Sequence, residues 1–191
     1  MRWLAFALIF LLTSSADADS NASSALVTAA RAQVGVTLFY DPSYQQISYP
    51  MGDVPIERGV CSDVVIRAFR TLGLDLQQEL HRDMKRHFAA YPKNWGLARP
   101  DRNIDHRRVP NLAIWFKRQG YAHPVSEDAA AYRPGDIVTW VLGGGQPHIG
   151  IVSDRRSEDG ARPLVIHNIG WGAREDDALF EYRITGHFRA F

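Results

Sequence analysis

The sequence predicts an α+β fold in which N-terminal helices pack on an antiparallel sheet. Helical patterns end by Gly120, whereas short runs rich in Val and Ile, separated by turn residues, begin after Arg133. The length of 191 residues and the hydrophobic fraction of 46% fit one soluble domain with a buried core. The chain shows neither an internal repeat nor a linker, so we predict a single domain over residues 19–191.

The first eighteen residues have the pattern of a secretory signal peptide. Arg2 precedes ten apolar residues, from Trp3 to Leu12, and small and polar residues follow up to Ala18. Crossing a bilayer takes about 20 helical residues, so this apolar segment is too short to be a transmembrane anchor. We therefore predict cleavage near Ala18 and a periplasmic or secreted mature protein.

Four helical segments are predicted after the leader. They are residues 25–34, 61–72, 76–89 and 110–119. Ser24 can cap the first segment, and Pro110 fits the first turn of the last one. Residues 36–59, between the first two segments, hold three prolines and show little periodicity. They are predicted to form an ordered loop, and ordered loops of this length are usually functional.

The predicted strands are residues 136–142, 148–153, 163–168 and 182–191. Side chains alternate along a strand, so His148 shares a face with Gly150, and His167 shares a face with Val165. If the strands pair as a meander, both histidines lie on the face that is covered by the helix beginning at Cys61. The sequence therefore brings two imidazoles near a thiol.

Cys61 is the single cysteine of a chain that is expected to be exported, so it has no disulfide partner within the chain. It can be a small buried hydrophobe or a nucleophile. A helix start and a nearby imidazole both lower the pKa of a thiol. We therefore expect a reactive Cys61 that is alkylated at pH 6 faster than a free thiol, with a histidine as base and a second polar residue to orient it.

The segments GVCSDVVIRAF, PGDIVTW, HIGIV and VIHN resemble, in this order, blocks of the NlpC-type (p60-type) papain-like cysteine peptidases. The mature chain from about Ala25 resembles more closely a bacterial family of exported proteins with a domain of unknown function, number 1287. The resemblance implies a papain-like fold in which Cys61 is the nucleophile, His148 the base and His167 the polar residue that orients it.

Tyr49 and Gly52 match a Tyr-x-x-Gly block of that family, with the tyrosine twelve residues before the cysteine. The resemblance implies that Tyr49 contributes to the oxyanion site, and Asp63 is a second candidate for oxyanion or substrate contact. The chain departs from the family pattern at Val60, Asp63 and Asp53, which replace an Asp and two glycines. These departures bear on substrate recognition more than on the chemistry.

Two alternatives stay open for His167. It can be a strand-end histidine packed against Trp171, and Asn168 beside it can orient the base equally well. Trp171 and most other tryptophans are expected in the core.

Composition and spacing exclude several other classes of function. A net charge of +1 gives no field for nucleic acid. Asp101, Asn103 and Asp105 mimic the start of a calcium loop, but the required Gly and Glu are missing, so we expect a solvated turn with ion pairs to Arg107 and Arg108. The histidines lack zinc-ligand spacing. We expect neither a metal nor a cofactor.

The leading prediction is thus an exported thiol hydrolase that cleaves an amide bond in cell-wall (peptidoglycan) peptides. An acyltransferase with the same thiol chemistry is one alternative, because one fold hosts several reactions. A non-catalytic exported binding module is the other, and it requires Cys61 to be dispensable.

Overall fold

The computed structural model describes residues 15–191. Its helices are α1 (Ser15–Arg31), α2 (Cys61–Thr71), α3 (Leu76–His87) and α4 (Val109–Arg118). Helix α1 begins ten residues before the predicted residue 25, and its first turn contains Ala18. The other three helices begin and end within two residues of their predicted bounds. Most of the predicted signal peptide, residues 1–14, lies outside the described residues.

Two sheets complete the fold. The strands are β1 (Phe39–Tyr40), β2 (Arg58–Gly59), β3 (Ala122–His123), β4 (Ile137–Val141), β5 (Pro147–Arg156), β6 (Pro163–Asn168), β7 (Ala173–Asp176) and β8 (Arg183–Phe188). Strands β1 and β2 form a short parallel pair, and the others form one antiparallel sheet in the order β3-β8-β4-β5-β6-β7. The predicted α+β class is confirmed. Strands β1, β2, β3 and β7 were not predicted, because they are only two to four residues long.

The helices pack on one face of the six-stranded sheet. Ile149, Ile151 and Ile166 belong to the core that includes Leu26 of α1 and Val65 of α2. A second, smaller core lies on the opposite face, around Trp140, Val152 and Val165. Alternation along β5 and β6 places His148 with Val152 and His167 with Val165, so both histidines lie on that opposite face. The prediction that they lie under the helix of Cys61 is wrong, because the isoleucines fill the helix-covered face.

No helix within residues 15–191 combines the length and the apolar character needed to span a membrane.

Candidate functional site

Cys61 begins helix α2, directly after the short strand β2. Its side chain is buried, and it lies at the floor of a groove of about 470 Å³. The groove is lined by the aromatic side chains of Tyr40, Tyr44 and Trp95 together with Arg108 and Gln146. The predicted position of Cys61 at a helix start is therefore confirmed, and a ligand in this groove lies over the thiol.

Backbone N–H groups surround the sulfur of Cys61. Those of Cys61 and Ser62 come from the first turn of α2, and that of Ile149 comes from β5. Burial nevertheless raises the pKa of the thiol to about 12, and the negative charge of Asp63 acts in the same direction, whereas the N–H groups lower the pKa. The pKa of the thiol is thus not lowered as expected, because desolvation outweighs the helix start.

His148 and His167 form a buried pair. His148 Nε2 lies 2.7 Å from His167 Nδ1, which is a hydrogen bond, and the two residues are 3% and 1% exposed. His148 immediately precedes Ile149, whose N–H faces the thiol, so the backbone of β5 passes beside Cys61 at this point. Within residues 15–191 no hydrogen bond joins the thiol to His148, and such catalytic bonds often tighten only when substrate is bound.

Both imidazoles of this pair are neutral near pH 7. Burial, followed by the charge of His167, lowers the pKa of His148 to about 3. Burial also lowers the pKa of His167 below its ordinary value, although the nearby Asp176 acts in the opposite direction. The thiol of Cys61 is protonated as well, so Cys61 and the two histidines are all uncharged near pH 7.

Gly150 allows the two histidines to meet. A Cβ atom at Gly150 would lie 2.7 Å from Cγ1 of Val165, 3.0 Å from the carbonyl of Ile166 and 3.1 Å from Cβ of His167. Contacts under about 3 Å are not tolerated in packed interiors. A glycine at this position lets β6 approach β5 closely enough for the hydrogen bond of 2.7 Å.

Asn168 does not orient His148, which the sequence left open as an alternative. Its Nδ2 donates to the carbonyl of Gly59 at 3.1 Å, and its Oδ1 accepts the N–H of Gly170 at 3.1 Å. It therefore ties the end of β6 to the strand before Cys61, and His167 is the residue that orients His148. Trp171 is 81% exposed, so it is neither core nor a packing partner that buries His167.

Asp63 is part of a buried ion pair. Its Oδ2 accepts the N–H of Val60 at 2.6 Å, as in a helix cap, and Arg107 binds both oxygens at 2.9–3.2 Å. Arg107 also donates to the carbonyls of Asp41 and Ser43, which fixes the loop beside the groove. Both carboxylate oxygens of Asp63 are bonded within the protein. Asp63 therefore positions the site, in contrast to the predicted contact with oxyanion or substrate.

Tyr49 lies away from the thiol. Its ring packs edge-on against His81 at 5.1 Å between centroids, and Arg102 lies over it at 5.7 Å. Gly52 is required because a Cβ would lie 1.9 Å from the carbonyl of Ser48. The Tyr-x-x-Gly block therefore fastens the loop to α3 and does not line the groove.

Asp53 and Arg67 explain another departure from the family pattern. Arg67 Nε and Nη2 donate to the two oxygens of Asp53 at 2.8 and 3.1 Å. Arg67 also donates to the hydroxyl of Thr37 and to the carbonyl of Arg58. The Asp in place of a glycine thus anchors the loop, and it makes no contact in the groove.

Tyr40 was missed by the sequence reasoning. It lines the groove beside Cys61, and burial followed by the charges of Cys61 and Asp63 raises the pKa of its hydroxyl to about 12. Tyr40 lies in the loop 36–59 that the sequence marks as functional, but only the pairing of β1 with β2 places it beside the thiol. Tyr40, and not Tyr49, lines the groove beside Cys61.

Other features lie outside this site. Asp105 pairs with Arg108 at 2.8 Å as predicted, but Arg107 pairs with Asp63 instead. The prediction of a solvated turn is wrong for Asp105, which is buried. Residues 15–191 contain no group of three His, Cys, Asp or Glu side chains that could hold a metal ion. A larger cavity of about 820 Å³ lies between the first turns of α1 and the C-terminus, and it contains none of the predicted site residues.

The comparisons with known proteins identify a family, a sequence relative and a solved structure of low similarity. The model of the family described as a domain of unknown function (DUF1287) matches residues 27–190. The chain is 57% identical over 173 residues to "Uncharacterized protein YijF" of Escherichia coli (strain K12), covering 91% of this chain and 84% of that protein. Among solved structures it is similar to NlpC1 from Trichomonas vaginalis, with 14% identity and a TM-score of 0.43. That similarity covers 90% of this chain, which spans 44% of the length of NlpC1.

The family match covers the three residues Cys61, His148 and His167 and nearly the whole described chain. This protein belongs to the DUF1287 family.

Proposed function

We propose that this protein is an exported thiol hydrolase that cleaves an amide bond in cell-wall (peptidoglycan) peptides. The observation that carries the proposal is the buried hydrogen bond of 2.7 Å between His148 and His167, on the strand whose next N–H faces the thiol of Cys61. A nucleophile, a base and a group that orients the base are the parts that acyl transfer requires.

In the first half of the reaction, His148 acts through Nδ1, because Nε2 is bonded to His167. Sγ of Cys61 attacks the amide carbonyl carbon while its proton passes to Nδ1 of His148. The tetrahedral intermediate collapses, the C–N bond breaks, and the same proton goes to the leaving amine. The product is a thioester on Cys61 and a free amine.

Water completes the cycle. It loses a proton to Nδ1 of His148 and attacks the thioester carbon, and the C–S bond then breaks. The thiolate of Cys61 takes the proton back from His148. The net reaction is amide plus water giving a carboxylic acid and an amine, with the enzyme unchanged.

The negative oxygen of each intermediate needs hydrogen-bond donors. The N–H of Cys61 at the start of α2 has no partner within the helix, and the first turn carries the positive end of the helix dipole. Tyr40 lines the groove together with Cys61, and its hydroxyl is the second donor that we propose. Preorganised donors of this kind are among the largest contributions to catalysis.

The protonated resting thiol fits this mechanism. Since the thiol pKa is raised to about 12 and the pKa of His148 is lowered to about 3, proton transfer accompanies attack and does not precede it. Alkylation of Cys61 at pH 6 is then slower than that of a free thiol. Slow alkylation in the absence of substrate would distinguish this site from one in which Cys61 and His148 rest as a thiolate and an imidazolium.

Three features support a cell-wall peptide as substrate. The predicted signal peptide would direct the chain to the compartment that contains peptidoglycan. The groove over Cys61 is lined by aromatic and proline side chains, and Arg108 and Gln146 offer polar contacts, which suits a peptide. The order of the sequence blocks resembles that of the NlpC-type peptidases.

The test is digestion of purified peptidoglycan sacculi with the mature protein and with its Cys61→Ser variant, which keeps the volume of the side chain. Soluble products are identified by mass spectrometry. We expect fragments from the wild type alone, and their masses identify the bond. His123→Ala is a matched control, because this exposed histidine lies on β3 at the far edge of the sheet and should leave activity unchanged.

Each other outcome has a definite meaning. A product that carries an amine or lipid acceptor in place of water would establish acyl transfer. Equal fragments from wild type and Cys61→Ser would remove Cys61 from the chemistry. If wild type releases nothing and still binds sacculi, the protein is a binding module.

A further inference from the structure

Asp176 lies behind the pair of histidines, at the side away from Cys61. Its Oδ2 is 3.4 Å from Nε2 of His167, and Nε2 is fully buried with no hydrogen bond of normal geometry within the described residues. Asp176 lies on β7, where it pairs with Val165 in the register, two residues from His167 along β6. Its side chain is 40% exposed, and Arg174 lies 3.7 Å from the same oxygen.

The position of one proton decides whether the pair can act. Both imidazoles are neutral, so each carries one N–H. Only one proton lies between Nε2 of His148 and Nδ1 of His167, which are 2.7 Å apart. Two arrangements are therefore open, and they differ at both ends of the pair.

In the first arrangement, His148 donates from Nε2 and its Nδ1 is bare, so Nδ1 can accept the proton of Cys61. His167 then carries its proton on Nε2 and points it at the carboxylate of Asp176. In the second arrangement, His167 donates from Nδ1, and its bare Nε2 lone pair faces that carboxylate. His148 then holds its proton on Nδ1 and cannot accept another from the thiol.

We propose that Asp176 is a positioning residue that selects the first arrangement of the two histidines. A carboxylate accepts a hydrogen bond from an N–H and repels a lone pair, and its effect is strengthened by the burial of His167. The choice passes through His167 to His148 without any contact between Asp176 and the reacting atoms. The inference deepens the proposed function and rests on its assignment of His148 as the base.

The experiment measures the protons directly, by ¹⁵N NMR of the imidazole nitrogens in the full mature protein at pH 7. The wild type should show the proton on Nε2 in both His148 and His167. Asp176→Ala should give a mixture of the two arrangements at each ring. Asp176→Asn is a second variant, and it should also lose the preference because an amide donates as well as accepts.

Asp177→Ala is the matched control. Asp177 is the next residue, it pairs with Arg162, and it should leave both tautomers unchanged. In kinetics, Asp176→Ala should lower kcat about 10- to 100-fold with little change in KM, which is the effect expected for a group that orients a base through another.

The outcomes separate this inference from the proposed function. A proton on Nδ1 of His167 in the wild type, or unchanged tautomers in both Asp176 variants, would overturn the role of Asp176. Tautomers as expected in a wild type that hydrolyses nothing would support Asp176 as the positioning residue and contradict the hydrolase.

Discussion

Two buried histidine clusters lie on the same face of the six-stranded sheet, and they differ in how many ring nitrogens are satisfied. His187 on β8 bonds Asp136 at 2.7 Å through Nε2 and the carbonyl of Pro124 at 3.1 Å through Nδ1. Arg189 binds both oxygens of the same Asp136 at 2.6–2.7 Å. We refer to these residues as the Asp136 cluster. In the other cluster, His148 bonds His167 through Nε2, and no hydrogen bond to its Nδ1 is formed within residues 15–191.

The difference shows which feature marks a chemical site. Both clusters are about as buried, and both contain a histidine aligned by a partner. In the Asp136 cluster every ring nitrogen and both carboxylate oxygens are occupied, so the group can only hold β4, β8 and the C-terminus together. The unbonded Nδ1 of His148 is the feature on which the proposed function depends, since polar groups in protein interiors are otherwise paired.

A substitution in the histidine pair should lower activity, whereas a substitution in the Asp136 cluster should lower stability. These are the largest effects that we expect. His148→Gln keeps the shape of the ring's polar end but removes the base, so kcat/KM should fall about 10³-fold with little loss of stability. Asp136→Asn should destabilise the fold by about 3 kcal/mol, because it leaves Arg189 and His187 without their carboxylate. Urea unfolding and kcat/KM on the peptide identified from sacculi measure both.

The same two variants can also contradict the roles assigned to the two clusters. If Asp136→Asn abolishes turnover in protein that is still folded, the Asp136 cluster belongs to the reaction. If His148→Gln keeps full activity, the unbonded nitrogen has no chemical role.

The distance between β5 and β6 offers a sharper test at Gly150. Gly150→Ala should cost about 2 kcal/mol of stability and lower kcat/KM, since the added methyl group pushes Val165 and His167 away from His148. Gly143→Ala is the control, because a Cβ there meets no atom within 4 Å and should change stability by less than about 0.5 kcal/mol. Equal behaviour of the two variants would show that the close approach at Gly150 is unimportant.

The two clusters should also respond differently to acid. The pKa of His148 is about 3 in the folded protein against an ordinary value of 6.5, so the unfolded chain binds the proton first. The contribution of His148 to the free energy of unfolding is fully present above pH 6.5. It is lost as the pH falls toward 3, by roughly 1 kcal/mol per pH unit for each proton that only the unfolded chain binds. His106, whose pKa burial also lowers to about 3, and His167 add to the slope.

Asp136, in the other cluster, affects the pH dependence of stability only at lower pH. Burial raises the pKa of Asp136, but the hydrogen bonds from His187 and Arg189 lower it by more than burial raises it, so the net shift is downward. The contribution of Asp136 to the free energy of unfolding is therefore lost only below about pH 3.8. Urea unfolding at pH 7, 6 and 5 should therefore show a falling free energy of unfolding, with a smaller slope in His148→Gln. An unchanged slope in that variant would mean that His148 is protonated in the fold.

The smallest expected effect concerns Tyr40. Tyr40→Phe removes the proposed second oxyanion donor and should lower kcat about tenfold with KM unchanged, which is less than the loss of a dedicated backbone or amide donor. Tyr182→Phe serves as the control, because its hydroxyl bonds only the exposed Glu181. A larger loss in KM than in kcat would make Tyr40 a substrate contact.

Local pattern was sufficient for much of the fold. Periodicity and stop signals located α2, α3 and α4, and alternation located β4, β5, β6 and β8, because long amphipathic segments bury one face wherever they pack. Two-residue strands such as β1 and β3 carry no such pattern. They exist only because a partner strand supplies their hydrogen bonds.

By itself, the sequence determined that a helix begins at Cys61 and which residues share a strand face with His148 and with His167, since both follow from local geometry. The pairing of β5 with β6 then puts the two histidines on one side of the sheet. Only the tertiary structure decided which side that is, because the packing of Ile149, Ile151 and Ile166 against the helices assigns the faces. It also decided the state of the thiol, since desolvation depends on every neighbour of Cys61. The partners Tyr40, Arg107 and Asp176 are likewise set by contacts between residues far apart in the chain.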